Sequence, residues 1–185
     1  MNVFYLHENP TIAAEYHVDK HVVKMNVEYA QLLSTAHRVL DGVEWYDKTA
    51  NGRKIKRWRH PDPSRDDLLY KASHVNHPSN IWCRASKQNY DWLYQLFLAT
   101  LDEYTHRYGK IHGCAKMVHV LRDSPTNIPD IGFTQPTPAM PDQYKTDDSI
   151  EAYRNYYIGE KSGFALWKNR EVPAWWHENA KYFLT

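Results

Sequence analysis

The sequence predicts a mainly α-helical fold, a compact domain of three to five helices with a small β-hairpin appended to it. Three observations predict it. The stretch from Thr11 to about Leu40 holds neither Pro nor Gly, and Asn9-Pro10 stands at its start. From Trp82 to Tyr108, aromatic and leucine residues recur at spacings of three, four and eight. Between these stretches, Ala50-Asn51-Gly52 separates two aromatic, β-prone runs, a strong short-range hairpin signal. With 185 residues the chain fits one domain, 1–185, in which 43–60 is a basic hairpin insertion and 123–146 a Pro-rich loop.

Each element has a local reason. Residues 2–6 (NVFYL) read as a short strand or extended entry. Asn9 is the N-cap and Pro10 the first position of a long helix that Asp41-Gly42 closes. The hairpin follows, and the turn Pro61-Asp62-Pro63 ends it. Helix is expected from Asp66 to His74, resuming after Asn76-His77-Pro78 and stopping at Gly109. A shorter helix fits 113–122. Five prolines (Pro125, Pro129, Pro136, Pro138 and Pro141) make the next stretch an extended surface loop. Asp147 and Asp148 cap a last helix over roughly 149–168. The tail REVPAWWHENAKYFLT has enough aromatics to dock.

Composition narrows the function classes. There are 23 Lys+Arg against 22 Asp+Glu, so bulk electrostatic coating of nucleic acid is excluded and a local basic patch is not. No apolar run is long enough to cross a membrane, and mean hydropathy is −0.74. MNVFYLHENP lacks the basic and long apolar segments of a leader, so a cytoplasmic protein is expected. Cys83 and Cys114 make neither a disulfide framework nor a metal knuckle.

The first long helix carries the densest chemistry. His17, His21, Lys24, Glu28 and Gln31 are spaced to form one stripe, with Val23, Val27 and Ala30 beside it. A helix apolar on most sides is buried, so its ionisable stripe should face a cleft or a partner; an ordinary solvated face has the same spacing. His17 and His21 have the spacing of a zinc helix, but Val18 occupies the position where a zincin has Glu. His74 and His77 are available as further ligands. Asn76-His77-Pro78 opens a helix and offers free backbone N–H groups to an anion, with Arg84 and Lys87 following and Arg107, Lys110 and His112 at the far end. The hairpin carries Arg53, Lys54, Lys56, Arg57 and Arg59 with Trp45 and Trp58, a cationic ribbon able to hold phosphates and stack bases.

These blocks are similar in order to a known family. An N-terminal extended segment precedes a helix in which His21 stands seven residues before Glu28. An NHP block then leads into a helix of the form NYxWLxxLxxxxLxEYxxRYG, and the chain closes on AYRNYYIGEKSGFALWKNREVPAWW. The chain resembles the pyrimidine-dimer DNA glycosylase/AP lyase family of endonuclease V type. It also looks like small uncharacterised phage proteins carrying DKHVVKM and WKNR blocks. The resemblance covers most of the chain loosely and excludes the hairpin. It implies a small all-α enzyme without metal or organic cofactor, acting as a monomer on damaged duplex DNA. The essential carboxylate would fall on Glu28 and the helix histidine on His21. The nucleophile would be an N-terminal amine, at Met1 or Asn2, or else Lys24 or the neighbouring Lys20. An α-amine titrates near pH 7.7–8, so it is partly neutral at physiological pH and can form a Schiff base with a sugar C1′. Two positions depart from the family pattern: Asn2 follows Met1 where a small residue is expected, and Val27 replaces an arginine beside the carboxylate. Arg53, Lys54, Lys56, Arg57, His77, Arg84, Arg107 and Lys110 would contact nucleic acid. The alternatives are a metal-dependent nucleic-acid hydrolase built on His17, His21 and His74/His77, and a non-catalytic nucleic-acid-binding module.

Overall fold

Asn9 starts the first helix as its sequence requires: its side chain accepts hydrogen bonds from the Thr11 and Ile12 N–H groups, and Pro10 occupies the first position of α1 (Pro10–Tyr16). The structure, a computed structural model, describes residues 1–183, and side chains as far as residue 178. The expected single helix from Asn9 to Leu40 is instead two. His17 and Val18 are extended, and α2 runs separately over Asp19–Asp41. Neither Pro nor Gly makes this break. Arg107 makes it: its guanidinium donates to the carbonyls of Glu15 and His17 and to the Asp19 carboxylate, while the Trp167 indole donates to the Tyr16 carbonyl. Carbonyls that a continuous helix would have used internally are taken by side chains from elsewhere in the chain.

The hairpin stands where expected. Strands β1 (Val43–Lys48) and β2 (Lys54–Arg59) pair antiparallel, with Trp45 opposite Arg57 and Tyr46 opposite Lys56. Gly52, at φ 79°, closes a loop fastened by the Thr49 N–H to the Arg53 carbonyl. Residues 2–6 form no strand; β1 and β2 are the only strand pair among the described residues. Val3, Phe4, Tyr5 and Leu6 are all buried, so the segment threads through the core with no solvent-facing side. Its backbone is satisfied by side chains, with Tyr29 accepting from the Phe4 N–H and Arg154 donating to the Leu6 carbonyl.

The second half also divides more finely than its periodicity predicts. α3 (Pro63–Leu68), capped by Asp62, stops six residues before His74. Arg38 takes the carbonyls of Asp66, Leu69 and Tyr70, which ends the helix there. α4 (Pro78–Ala85) and α5 (Lys87–Tyr108) are separated at Ser86, whose hydroxyl caps α5 at Asn89 N–H. Gly109 ends α5 at φ 65°, a backbone conformation that favours glycine. A 3₁₀ turn (Gly113–Met117) and α6 (Val118–Leu121) fill 113–122. The proline loop is irregular apart from a 3₁₀ turn at Asp142–Tyr144, and Asn89 and Trp82 bond it to the body at Thr134. α7 (Ser149–Lys161), capped by Asp148, ends short of the expected 168, and α8 (Ala174–Phe183) follows. Trp175 docks the tail in the core; the side chains of Tyr182 and Phe183 lie outside the described residues. Eight α-helices therefore stand among the described residues, above the three to five expected, because two predicted helices are each split in two and the tail forms α8. α2 and α5 pack together at the centre, with α1 and α4 against them.

Candidate functional site

The buried N-terminal segment carries the chain start to the middle of α2. The Met1 α-amine lies 3.6 Å from Glu28 Oε2, and Lys24 Nζ lies 3.2 Å from Glu28 Oε1. One carboxylate therefore holds two amines, one on each oxygen. Glu28 is 16% exposed and Lys24 66%, so the pair opens to solvent on the lysine side. Lys24 is at i, i−4 to Glu28, one helical turn away on the same face.

His77 belongs to this electrostatic group. Its Nδ1 accepts from the Ser79 N–H as the cap of α4, which places the proton of the neutral ring on Nε2. Burial, the Met1 amine and His74 lower its pKa, while Glu28 opposes the shift. The buried polar atoms without a hydrogen-bond partner among the described residues include Asn2 Oδ1 on the N-terminal segment and Asn80 Oδ1 and Arg84 Nη1 on α4, the helix that His77 caps. Most buried polar groups in folded proteins are paired, so this concentration of unpaired ones sets the region apart.

The histidines of the stripe do other work. His17 is fully buried, with Nδ1 at 2.6 Å from the Ala13 carbonyl and Nε2 at 2.6 Å from Tyr29 Oη. A carbonyl only accepts, so Nδ1 carries the proton and Nε2 accepts from Tyr29. Tyr29 in turn accepts the Phe4 N–H. Burial pushes the His17 pKa down to about 4. His21 stacks on Phe4 with ring centroids 4.3 Å apart and bonds Tyr157 Oη at 2.6 Å. Burial, then the neighbouring His17, Lys161 and Lys24, hold it neutral. Both rings clamp the segment that delivers the amine, a positioning role. The stripe within α2 is only partly open: His21 is buried because Phe4 and Tyr157 cover it, whereas Lys24, Val23 and Val27 are exposed.

The histidines expected to gather a metal are engaged elsewhere. Among the described residues, the one group of three ligand atoms close enough to hold an ion is His37, Asp41 and His60. Arg65 donates to His37 Nδ1 at 3.2 Å, Tyr90 holds its Nε2 at 2.8 Å, and the Asp41 oxygens accept from the Thr126 and Asn127 N–H groups. Both His37 nitrogens are in use and a guanidinium faces the ring, which does not fit a cation.

The expected nucleic-acid contacts divide. Arg53, Lys54, Lys56 and Lys110 are exposed, with Lys56 paired to Glu44 at 3.1 Å. Arg57 and Arg84 are half-buried. Arg107 must be withdrawn: its side chain is fully buried and bonded to Glu103 and Asp19, so no phosphate reaches it. Sequence reasoning missed Asn80, whose amide donates to the Ser73 and His74 carbonyls, since nothing in its spacing separates it from an ordinary polar helix residue; the sequence marks His74 only as an available metal ligand. Comparison with protein-family models, curated proteins and solved structures finds no match to this chain.

Proposed function

We propose that the protein is a base-excision DNA glycosylase/AP lyase that uses an amine held at Glu28 as its nucleophile. The observation that carries this reading is the α-amine and the Lys24 amine on the two oxygens of one partly buried carboxylate. A carboxylate in that position does two things for amine attack on a sugar. It accepts the proton that the nitrogen gives up, and it stabilises the positive charge that develops at C1′ as the base departs with the bonding pair. The new C1′–N bond becomes a protonated imine when the sugar ring opens. Arg84, His77, Lys110 and the hairpin cations Arg53, Lys54 and Lys56 supply charges for phosphates, and the protein acts on duplex DNA as a cytoplasmic monomer.

The test is reductive trapping. Incubating the protein with an abasic duplex and borohydride in excess chelator should give a covalent adduct, which mass spectrometry places on Met1 or Lys24. Strand cleavage that requires added divalent metal, with no adduct, would replace this reading with the metal hydrolase. Binding with neither adduct nor cleavage would leave a nucleic-acid-binding module.

A further inference from the structure

A cleft of about 380 Å³ lies beneath the hairpin, away from Glu28. The strand register puts Trp45, Asp47, Arg57 and Arg59 on its inner face, and Lys71 with Leu69 and Ala72 forms the opposite side. Arg38 builds a rigid floor, bonding the Trp58, Asp66, Leu69 and Tyr70 carbonyls as well as the Asp66 carboxylate. A second cleft of about 250 Å³ shares Arg59, Asp66 and Asp67 and continues along Pro61 and Pro63. The two form one groove under the ribbon.

We propose that this groove holds an unpaired stretch of a nucleic-acid strand, about one nucleotide in each cleft. Three features of the lining select that ligand. Trp45 is 37% exposed and already carries the Arg59 guanidinium over its ring, the flat, cationic surface on which a base stacks. The half-buried Arg57 lines one side of the cleft and Lys71 the other, so a phosphate between them meets two positive charges. Asp47 and Asp67 stand in the wall beside these cations, and their oxygens can accept the amino and imino hydrogens of a nucleobase, which a simple anion does not offer. Each cleft, though modest, is of the size that takes one small organic unit. Paired bases present no free face to Trp45, so the groove discriminates against intact duplex.

Geometry also places this groove relative to Glu28. Arg38 is ten residues further along α2, about 15 Å at 1.5 Å per residue. The inference shares with the proposed function only the nucleic-acid partner and needs none of its chemistry.

Fluorescence anisotropy with a labelled single-stranded 12-mer and the matching blunt duplex, at one fixed salt concentration, tests it. Trp45→Ala and Arg57→Gln should each weaken the single strand at least about fivefold, the lower end for one lost base stack, and change the duplex less than twofold. Lys48→Gln, which removes a charge from the opposite face of the ribbon, should leave both affinities within twofold. Equal losses for strand and duplex, no loss in either inner-face variant, or the same loss in Lys48→Gln would overturn the proposal. So would deoxyadenosine monophosphate binding as tightly as the 12-mer, since the site would then serve a free nucleotide. Binding is read without turnover, so a failed borohydride adduct leaves this result standing and a failed groove leaves the adduct standing.

Discussion

Two charge clusters flank α2, and they are built in opposite ways. At its start, Arg107 is completely enclosed and every guanidinium nitrogen has a partner: Nε on Glu103, Nη1 on Asp19 and the His17 carbonyl, and Nη2 on the Glu15 carbonyl. Arg170 adds two further bonds to Glu103, 3.0 Å each, and Glu103 is held below the usual carboxylate range by its two arginines against the opposing effect of burial. About half a turn short of mid-helix, Glu28 stays partly open, with two amines on it and unpaired buried polar atoms on the N-terminal segment and α4. The first cluster has no capacity left and holds two helices at a fixed angle. The second has unspent hydrogen-bonding capacity, the condition for binding something else. Saturation, rather than charge, separates a strut from a site.

Breaking the strut should have the largest effect. Arg107→Met leaves Glu103 and Asp19 with a missing partner and frees the carbonyls at the α1–α2 break, at a cost of about 3–5 kcal/mol. A chain of this size should lose on the order of 10 °C in Tm, read by circular dichroism. A drop of only a degree or two would show that the cluster is dispensable and remove the contrast.

Glu28→Gln tests the other side. The fold should survive, because Gln keeps the volume and an accepting oxygen and Lys24 is exposed; the mostly buried Met1 side makes a loss of about 1–2 kcal/mol the expected cost. Adduct formation should fall at least about 100-fold, the low end for losing a general base. If stability fell by several kcal/mol and the adduct rate did not change, Glu28 would be a second strut.

Acid should weaken the scaffold before it touches the strut. His17, with a folded pKa near 4 against an ordinary 6.5, binds fewer protons folded than unfolded. Its contribution is complete above about pH 6.5 and is lost as pH falls towards 4, roughly 2 kcal/mol by pH 5. His37, pushed down to about 3 chiefly by burial and Arg65, acts in the same direction. Urea midpoints between pH 7.5 and 4.5 should therefore decline, and His17→Gln should flatten part of that slope. A wild-type midpoint unchanged down to pH 5 would contradict the buried neutral rings.

The smallest expected change is at Lys24. Lys24→Ala removes a mostly exposed side chain and should cost under about 0.5 kcal/mol. The borohydride adduct should persist on Met1. Its disappearance, with folding intact, would transfer the nucleophile to Lys24.

Much of the fold is legible because local rules act locally. Asn9-Pro10, Asn51-Gly52, Gly109 and Asp148 start, turn or stop elements as their side chains and backbone freedom require, and all four do so here. Glu28 and Lys24 are legible as neighbours for the same reason, since a four-residue spacing on a helix puts them on one face. His21 at three residues from Lys24 obeys the same arithmetic and still lies buried, since Phe4 and Tyr157 cover it.

What only the tertiary structure decided involves partners far apart in the chain. Arg107 breaks a helix some 90 positions away, Arg38 ends α3 from about 30 positions away, and Phe4 turns His21 from a surface ligand into a packing surface. No window of sequence contains both members of such a pair. The helix-breaking signal is a competing hydrogen bond to a carbonyl, and any arginine in the chain could supply it. The meeting of the α-amine with Glu28 has the same origin. The sequence by itself determined the helical class, the hairpin and the carboxylate with its lysine; folding determined that residues 1–6 run through the core, because four consecutive apolar side chains find more burial there than on any strand edge.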